Sequence, residues 1–377
     1  YEVDIAQQQI AIASSARLPR VDLQAGYLAQ LEPQAVKFGQ TVQETQDADF
    51  PFLSLTVYDT LYDFGRTRSR EGAARMRRDA ASHAYSGSQQ DLFLQVVHAY
   101  YGILEAQKLV AAANDEVLQM NSHQRTAQAL FEEGVVTRND LLQAEVRVAA
   151  SRQKLYSAMN GVENGWLLLN YLTGAPAGFR GELQEEAETA LLPNPGADAD
   201  LSSRGELAAL KNLVAAADYA VQEARNNYYP ELFARLAMDY VQNSRVREQA
   251  IMSATLGIKV NLYDGLATTS RLRQAVQASS REKERLRDLE DRVKLELATA
   301  QNDMRVALAR ITVAEKAIAQ GVENLSINRD RYQEKVGTAT EVVDAQTLLT
   351  QTRTDFYQSV FDLQVAAARV KRATGEL

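Results

Sequence analysis

Two stretches of the sequence decide the fold, because the second stretch repeats the first. Residues 131–145 read FEEGVVTRNDLLQAE, and residues 332–346, which lie 201 positions later, read YQEKVGTATEVVDAQ. Both begin with an aromatic residue, carry threonine at the seventh position, and continue with an acidic residue and two aliphatic residues. Each is a short Gly/Thr break between two long segments with helical periodicity, and this pattern predicts the tip of a helical hairpin.

The repeat extends over nearly the whole chain. Two further motifs recur at the same spacing, namely Leu61-Tyr62-Asp63 with Leu262-Tyr263-Asp264 and Thr173-Gly174 with Thr374-Gly375. Before them the spacing is 211, because Leu18-Pro19 matches Tyr229-Pro230, so the first copy is about ten residues longer before position 61. We therefore predict two structurally equivalent halves, residues 1–190 and residues 191–377.

The same order of elements is predicted in each half. Proline is absent from residues 52–175 and 231–377, which permits very long helices, and apolar residues alternate with polar ones after Pro19 and Pro230, which indicates strands. The first half is predicted as helix 2–18, strands 20–30 and 52–62 with a long loop at 32–49 between them, long helix 66–131, tip 132–139 and return helix 139–173. The second half is predicted as helix 203–228, strands 231–242 and 253–263, long helix 266–332, tip 333–339 and return helix 340–374. A Pro/Gly-rich insert is predicted from 175 to 200.

Composition excludes several classes of function. The net charge of −8 argues against binding to nucleic acid, and the absence of cysteine excludes disulfides, thiolate metal sites and thiol catalysis. His83, His98 and His123 lack the spacing of metal ligands on a helix, so we expect no metal and no other cofactor. We find no phosphate-binding glycine loop and no nucleophile constellation, so we expect that the chain is not an enzyme. The chain starts within a helical pattern, and we expect a mature or trimmed product.

The strands point to a membrane. With 24% charged residues, the chain has no run of 18 uncharged apolar residues, but a membrane strand needs only about ten alternating residues. Four strands with one apolar face would leave open edges, which in lipid must be paired. Two chains would give eight strands and three would give twelve, and only the larger barrel would leave a channel. Five aromatic residues at the strand–helix junctions fit either a membrane-interface belt or ordinary packing: Tyr62, Phe64, Tyr228, Tyr229 and Tyr263.

The doubled plan of strands, long helix, Gly/Thr tip and return helix resembles the TolC family of outer-membrane efflux proteins. The first tip matches the family pattern in full, at Phe131, Gly134, Thr137, Asp140, Leu141, Leu142 and Ala144. The second departs from it, because Lys335 replaces the glycine and Glu341 replaces the aspartate. The resemblance implies a mainly α-helical protein in the Gram-negative outer membrane, a homotrimer with a twelve-stranded β-barrel and a periplasmic α-helical tunnel. It also implies a periplasmic adaptor protein and an inner-membrane pump as partners.

The residues at the tips are the candidates for docking and gating. Exposed apolar residues at a tip fit contact with an adaptor or a plain hairpin turn, and those residues are Gly134, Val135, Val136, Thr137, Val336, Gly337 and Thr338. Glu341, Asp344 and Asp140 would form carboxylate rings in a trimer and could gate it, with Arg138 as a partner across subunits. Capping of the return helix explains an acidic residue there equally well, and for Asp140 we favour capping.

An outer-membrane exit channel of an efflux pump or a type I secretion system is therefore the predicted function. The alternative is a periplasmic coiled-coil adaptor or scaffold, which predicts one helical hairpin flanked by small β domains and has no use for lipid-facing strands. Drugs, metal ions and secreted proteins remain open as substrates, because the lining of a tunnel carries little chemical selectivity.

Overall fold

The computed structural model describes residues 1–184, 201, 203–334 and 336–377. In chain order the elements are α1 Glu2–Ser15, β1 Arg20–Ala29, β2 Ala35–Phe38, β3 Thr41–Glu44, β4 Asp49–Tyr62, α2 Arg66–Glu132, α3 Arg138–Thr173, α4 Gly205–Asn226, β5 Glu231–Val241, β6 Ala250–Lys259, α5 Ala267–Gln333 and α6 Ala339–Thr374. The chain divides into two compact units, one of residues 1–85 and 205–289, the other of residues 86–204 and 290–377. Within the described ranges, no helix is both long enough and apolar enough to cross a membrane.

The first unit contains a four-stranded antiparallel sheet in the order β1-β4-β5-β6. The pairing of β4 with β5 joins the two repeats, with Val57 opposite Leu236 and Leu55 opposite Met238. Side chains on the face that carries these residues are largely exposed, as at Leu236. Since β1 and β6 each pair on one side only, both edges of the sheet lack a partner within the described chain.

The structure differs from the predicted strands in several places, since β4 begins at Asp49 and β6 at Ala250, each three residues before its predicted start. Residues 32–49 are not simply a loop, because β2 and β3 form a hairpin there around Gly39, whose φ is 63°. A two-residue turn whose first residue is glycine, here Gly39-Gln40, is the sequence signal for such a hairpin. In the second repeat, β6 ends at Lys259, so residues 260–263 lie outside the strand that was predicted to include them. The insert predicted at 175–200 is described only as far as 184, and residues 185–200 lie outside the described part of the chain.

The repeated Leu-Tyr-Asp motif lies at the junction between the last strand and the long helix of each repeat. The carboxylate of Asp63 accepts hydrogen bonds from the backbone N–H groups of Gly65, at 3.1 Å, and Thr67, at 2.6 Å. Asp264 accepts the equivalent bond from Thr268 at 2.9 Å. These bonds satisfy N–H groups that have no partner in the first turn of a helix, which explains why the aspartate recurs.

The helices of the second unit share equivalent cores. Between α2 and α3, Ala99, Ile103, Trp166 and Leu169 are buried together. Between α5 and α6 the corresponding cluster is Leu297, Ala300, Val370 and Ala373. Ala99 in the first cluster, and Ala300 and Ala373 in the second, are small residues that allow the long helix and its return helix to approach closely at these points.

Candidate functional site

The first tip is a tight turn built on a glycine. After the end of α2, Gly134 adopts a φ of 73°. This backbone conformation is less favourable for a residue with a Cβ than for glycine. The backbone N–H groups of Gly134 and Val135 donate to the carbonyls of Phe131 and Leu130, at 3.0 and 2.8 Å. Val135 is 49% exposed and Val136 is half-buried, so the turn presents apolar side chains to solvent.

The second tip places its glycine for a different reason. The N–H groups of Val336 and Gly337 both donate to the carbonyl of Arg331, at 2.9 Å each. A Cβ on Gly337 would lie 3.1 Å from the Cβ of Arg331, so the glycine permits a close approach to the end of α5. Val336 is 70% exposed, and this tip therefore presents an apolar residue as the first tip does.

Both return helices begin with the same capping box. Thr137 accepts from the N–H of Asp140 at 3.3 Å, and the carboxylate of Asp140 accepts from the N–H of Thr137 at 2.9 Å. Thr338 and Glu341 exchange the equivalent bonds at 3.3 and 2.9 Å. Two N–H groups at each helix start are thus satisfied reciprocally. The hydrogen bonds from the Thr137 side chain and backbone hold the pKa of Asp140 below its usual value.

The four predicted gate residues differ in what they contact. The carboxylates of Asp140 and Glu341 are engaged in the capping boxes, and Glu341 also lies 4.0 Å from the guanidinium of Arg331. Asp344 and Arg138 are exposed, and neither has a hydrogen-bond or ion-pair partner among the described residues. Within one chain Arg138 therefore pairs with none of the three carboxylates.

Tyr332 is a residue near the tips to which sequence reasoning assigned no role. Its ring packs on a buried cluster of Leu325, Val342, Ala345 and Leu349, and its centroid lies 5.9 Å from that of His123. Its hydroxyl is buried and has no hydrogen-bond partner among the described residues. Burial, and then the negative charge of Asp140, raise the pKa of Tyr332. The side chain thus packs against α6 and lies beside α2.

A cavity of about 230 Å³ lies beside Tyr332, between α2, α5 and α6. The guanidinium of Arg329 donates there to Gln119 and, at 3.4 Å, to Gln346. Burial, and then the charge of Arg147, lower the pKa of His123. In the sequence, the only sign of these polar residues between α2, α5 and α6 is the aromatic residue that opens each tip motif.

The predicted aromatic belt lies at the strand–helix junctions of the first unit. The ring centroids of Tyr62 and Phe64 are 4.8 Å apart, and the ring of Phe64 stacks on Tyr229 at 5.4 Å. Tyr228 donates to the hydroxyl of Thr269 at 3.1 Å, and Tyr263 is largely exposed. All five residues are more than a third exposed.

No three side chains of the metal-binding types lie close enough to hold an ion in the part of the chain that the structure describes.

Comparison with known proteins then decides the family. The family model described as "Outer membrane efflux protein" matches residues 1–175 and 198–376. The chain belongs to the outer membrane efflux protein family.

Relatives and solved structures agree with this family. The chain is 22% identical over 386 residues to the outer membrane efflux protein BepC of Brucella suis, covering 100% of the chain and 81% of the relative. It is 22% identical over 394 residues to the outer membrane protein TolC of Vibrio cholerae, covering 99% and 86%. It shares the fold of the outer-membrane channel OprN, with a TM-score of 0.87 and 19% identity over 100% of this chain and 85% of that one.

This efflux-family protein is an outer-membrane exit channel of Gram-negative bacteria, and its family consists of channel proteins rather than enzymes. The prediction of a TolC-like efflux protein is confirmed. The adaptor alternative required one helical hairpin, whereas the chain contains two, α2–α3 and α5–α6.

Proposed function

We propose that three copies of the chain join their sheets into a twelve-stranded barrel in the outer membrane. The observation that carries this is the four-stranded sheet with two unpaired edges and one exposed apolar face. In lipid such edges must be paired, and three copies supply twelve strands, enough to leave a channel. The aromatic residues at the strand ends support the same placement, because aromatic belts mark membrane interfaces.

The helical part continues the channel into the periplasm and receives its partners at the tips. Val135 and Val336 are exposed apolar residues at the ends of two helical hairpins, where a water-facing turn would ordinarily be polar. A periplasmic adaptor protein would bury them and connect the channel to an inner-membrane pump. The substrate then passes from the pump or the periplasm to the outside.

The tips also carry the gate. In a trimer, Asp344 and Glu341 would each appear three times and would form carboxylate rings that favour cations. Because Asp344 has no partner among the described residues of its own chain, it is the carboxylate most available to a neighbouring subunit. Arg138 likewise has no partner among those residues and is the cation that could pair with it across subunits. Asp140 serves chiefly as a cap, since Thr137 engages its carboxylate.

Conductance in planar bilayers, together with the mass of the detergent-purified oligomer, tests this function. We expect a trimer with a small, cation-selective conductance that rises for Asp344→Ala and, to a lesser degree, for Glu341→Ala. A monomer without conductance would remove the barrel, and a conducting trimer that is indifferent to both changes would remove the gate.

Docking is tested separately with Val135→Asp and Val336→Asp. Crosslinking in cells of the source bacterium, followed by mass spectrometry, should recover an adaptor protein with the unchanged channel and lose it with these variants. Phe38→Asp in the β2–β3 hairpin is the matched control, because Phe38 is similarly exposed. Equal recovery from all variants would contradict docking at the tips.

A further inference from the structure

The four-stranded sheet has a polar face opposite the apolar face that carries Leu55 and Leu236. Because side chains alternate between the two faces of a strand, the residues before and after each apolar position share this polar face. Its polar residues include Asp22, Gln24, Ser54, Thr56, Ser253 and Thr255. In a closed membrane barrel the apolar face meets lipid, and the polar face therefore lines the lumen.

One row of the polar face brings two arginines together with a tyrosine. Arg20 lies opposite Tyr58 in the β1–β4 ladder, and Tyr58 lies opposite Arg235 in the β4–β5 ladder. Arg235 in turn lies opposite Thr255 on β6. Residues directly opposite each other on one face have Cβ atoms about 5 Å apart. The row therefore places an arginine on each side of one aromatic residue.

Arg235 is exposed, and its guanidinium has no hydrogen-bond or ion-pair partner among the described residues. The two carboxylates that share its face of β5 already have donors. The carboxylate of Glu231 lies 2.5 Å from the guanidinium of Arg66. The carboxylate of Asp239 accepts a hydrogen bond from the hydroxyl of Ser54 at 2.6 Å. The guanidinium of Arg235 is therefore available to an anion that enters the lumen.

The tyrosine of this row forms an aromatic platform with Phe233. The rings of Tyr58 and Phe233 are stacked, with centroids 5.5 Å apart and an angle of 19° between their planes. The Phe233 ring lies over Gly257 of β6, where an added Cβ would come within 2.7 Å of it. The Tyr58 hydroxyl donates to Glu231 at 2.9 Å, which fixes the tyrosine in place. Both rings are partly exposed on the face that carries Arg235.

We propose that Arg235, Tyr58 and Phe233 form a site that binds aromatic anions in the lumen of the barrel. The proposal rests on the proposed function, which turns the polar face of the sheet towards the lumen of a trimer. The guanidinium donates two hydrogen bonds to a carboxylate, and the stacked rings take the aromatic part of the same molecule. By symmetry the three copies of Arg235 lie at one level and form a cationic ring, and such rings favour anions. The barrel thus favours the charge opposite to the one that the carboxylates at the tips favour.

Cysteine labelling tests which way this face points, without background, because the chain has no cysteine. In trimers reconstituted into liposomes, Arg235→Cys should react with a membrane-impermeant methanethiosulfonate reagent through the water of the lumen. Leu236→Cys is the matched control, because this neighbouring residue lies on the apolar face of the same strand. It should face lipid and remain unmodified.

Binding of naphthoate to the detergent-purified trimer, measured by titration calorimetry, tests the site itself. Arg235→Gln should raise the Kd at least about tenfold, because it removes a charged hydrogen-bond donor. Phe233→Leu keeps an apolar side chain but removes the stacked ring, and should raise the Kd about threefold. Decalincarboxylate has the charge without the aromatic ring, so its Kd should rise with Arg235→Gln and not with Phe233→Leu. Arg247→Gln, which removes an exposed cation between β5 and β6, is the control and should change neither Kd.

The outcomes separate this site from the channel itself. A trimer that is labelled at 235 and not at 236, and whose Kd for naphthoate rises with Arg235→Gln and Phe233→Leu, supports the proposal. The same labelling without naphthoate binding, or with a Kd that neither change raises, overturns the site and leaves the proposed function in place. A monomer, or equal labelling at both positions, overturns both.

Discussion

The carboxylate of Glu231, the first residue of β5, lies 2.5 Å from the guanidinium of Arg66, the first residue of α2. The hydroxyls of Tyr58 and Thr60 on β4 donate to the same carboxylate, at 2.9 and 3.1 Å. One acidic side chain of the second repeat therefore fixes the end of a strand and the start of a long helix of the first. The repeats are joined here by a charge-assisted cluster as well as by the β4–β5 ladder.

Substitution of Glu231 should consequently weaken the sheet. Glu231→Ala leaves Arg66 and two hydroxyls without their acceptor, and we expect a loss of about 2 kcal/mol in the free energy of unfolding. Glu231→Gln keeps an acceptor oxygen for the hydroxyls and should cost about half as much. The measurement is urea unfolding in detergent.

Glu248→Ala is the control for this prediction, because Glu248 is exposed and pairs with Arg247 only at 3.9 Å. Its cost should stay within about 0.5 kcal/mol. Equal effects of the two alanine substitutions would show that the Glu231 cluster does not hold the junction.

The contribution of the capping box of the second tip to local stability should be measurable. Thr338→Ala removes the acceptor for the N–H of Glu341 and should cost about 1 kcal/mol of local stability, whereas Thr338→Ser retains the hydroxyl and should cost little. Amide exchange of residues 338–342 reports the change. Thr340→Ala, at an exposed position two residues further along, should leave exchange unchanged.

The first tip should loosen in acid. The pKa of Asp140 is held below its usual 3.8 by Thr137, so its contribution is fully present above 3.8 and is lost as the pH falls through the lower native value. Amide exchange of residues 137–141, corrected for the intrinsic rate, should therefore rise between about pH 4 and pH 2. Asp140→Asn should abolish this dependence, and an unchanged profile in that variant would contradict the assignment.

The buried hydroxyl of Tyr332 should lower the free energy of unfolding. Since it has no partner among the described residues, Tyr332→Phe is expected to raise the free energy of unfolding by about 1 kcal/mol. Tyr100→Phe is the matched control with the opposite sign, because the Tyr100 hydroxyl donates to the carbonyl of Gln184 at 2.6 Å. Destabilisation by Tyr332→Phe would mean that the hydroxyl finds an acceptor in the assembled channel.

Much of the helical part could be predicted from local sequence. The Thr and acidic residues at 137 and 140, and again at 338 and 341, mark helix starts because a capping box is a contact between residues three apart. The hairpin at 35–44 is equally local, and its sequence signal is the two-residue turn that begins with Gly39. The role of Tyr332 could not be read locally, since its neighbours His123 and Asp140 are about 200 positions away in sequence.

The sequence by itself determined the repeat, the type and approximate length of its helices and strands, and the apolar face of each strand, because periodicity and capping act over a few residues. Only the tertiary structure decided that β4 pairs with β5, that α6 packs against α2, and that one face of α3 remains exposed. Such choices depend on which surfaces fit each other across hundreds of residues. A pattern of hydrophobicity shows that a face needs a partner, and shape and charge in three dimensions select that partner.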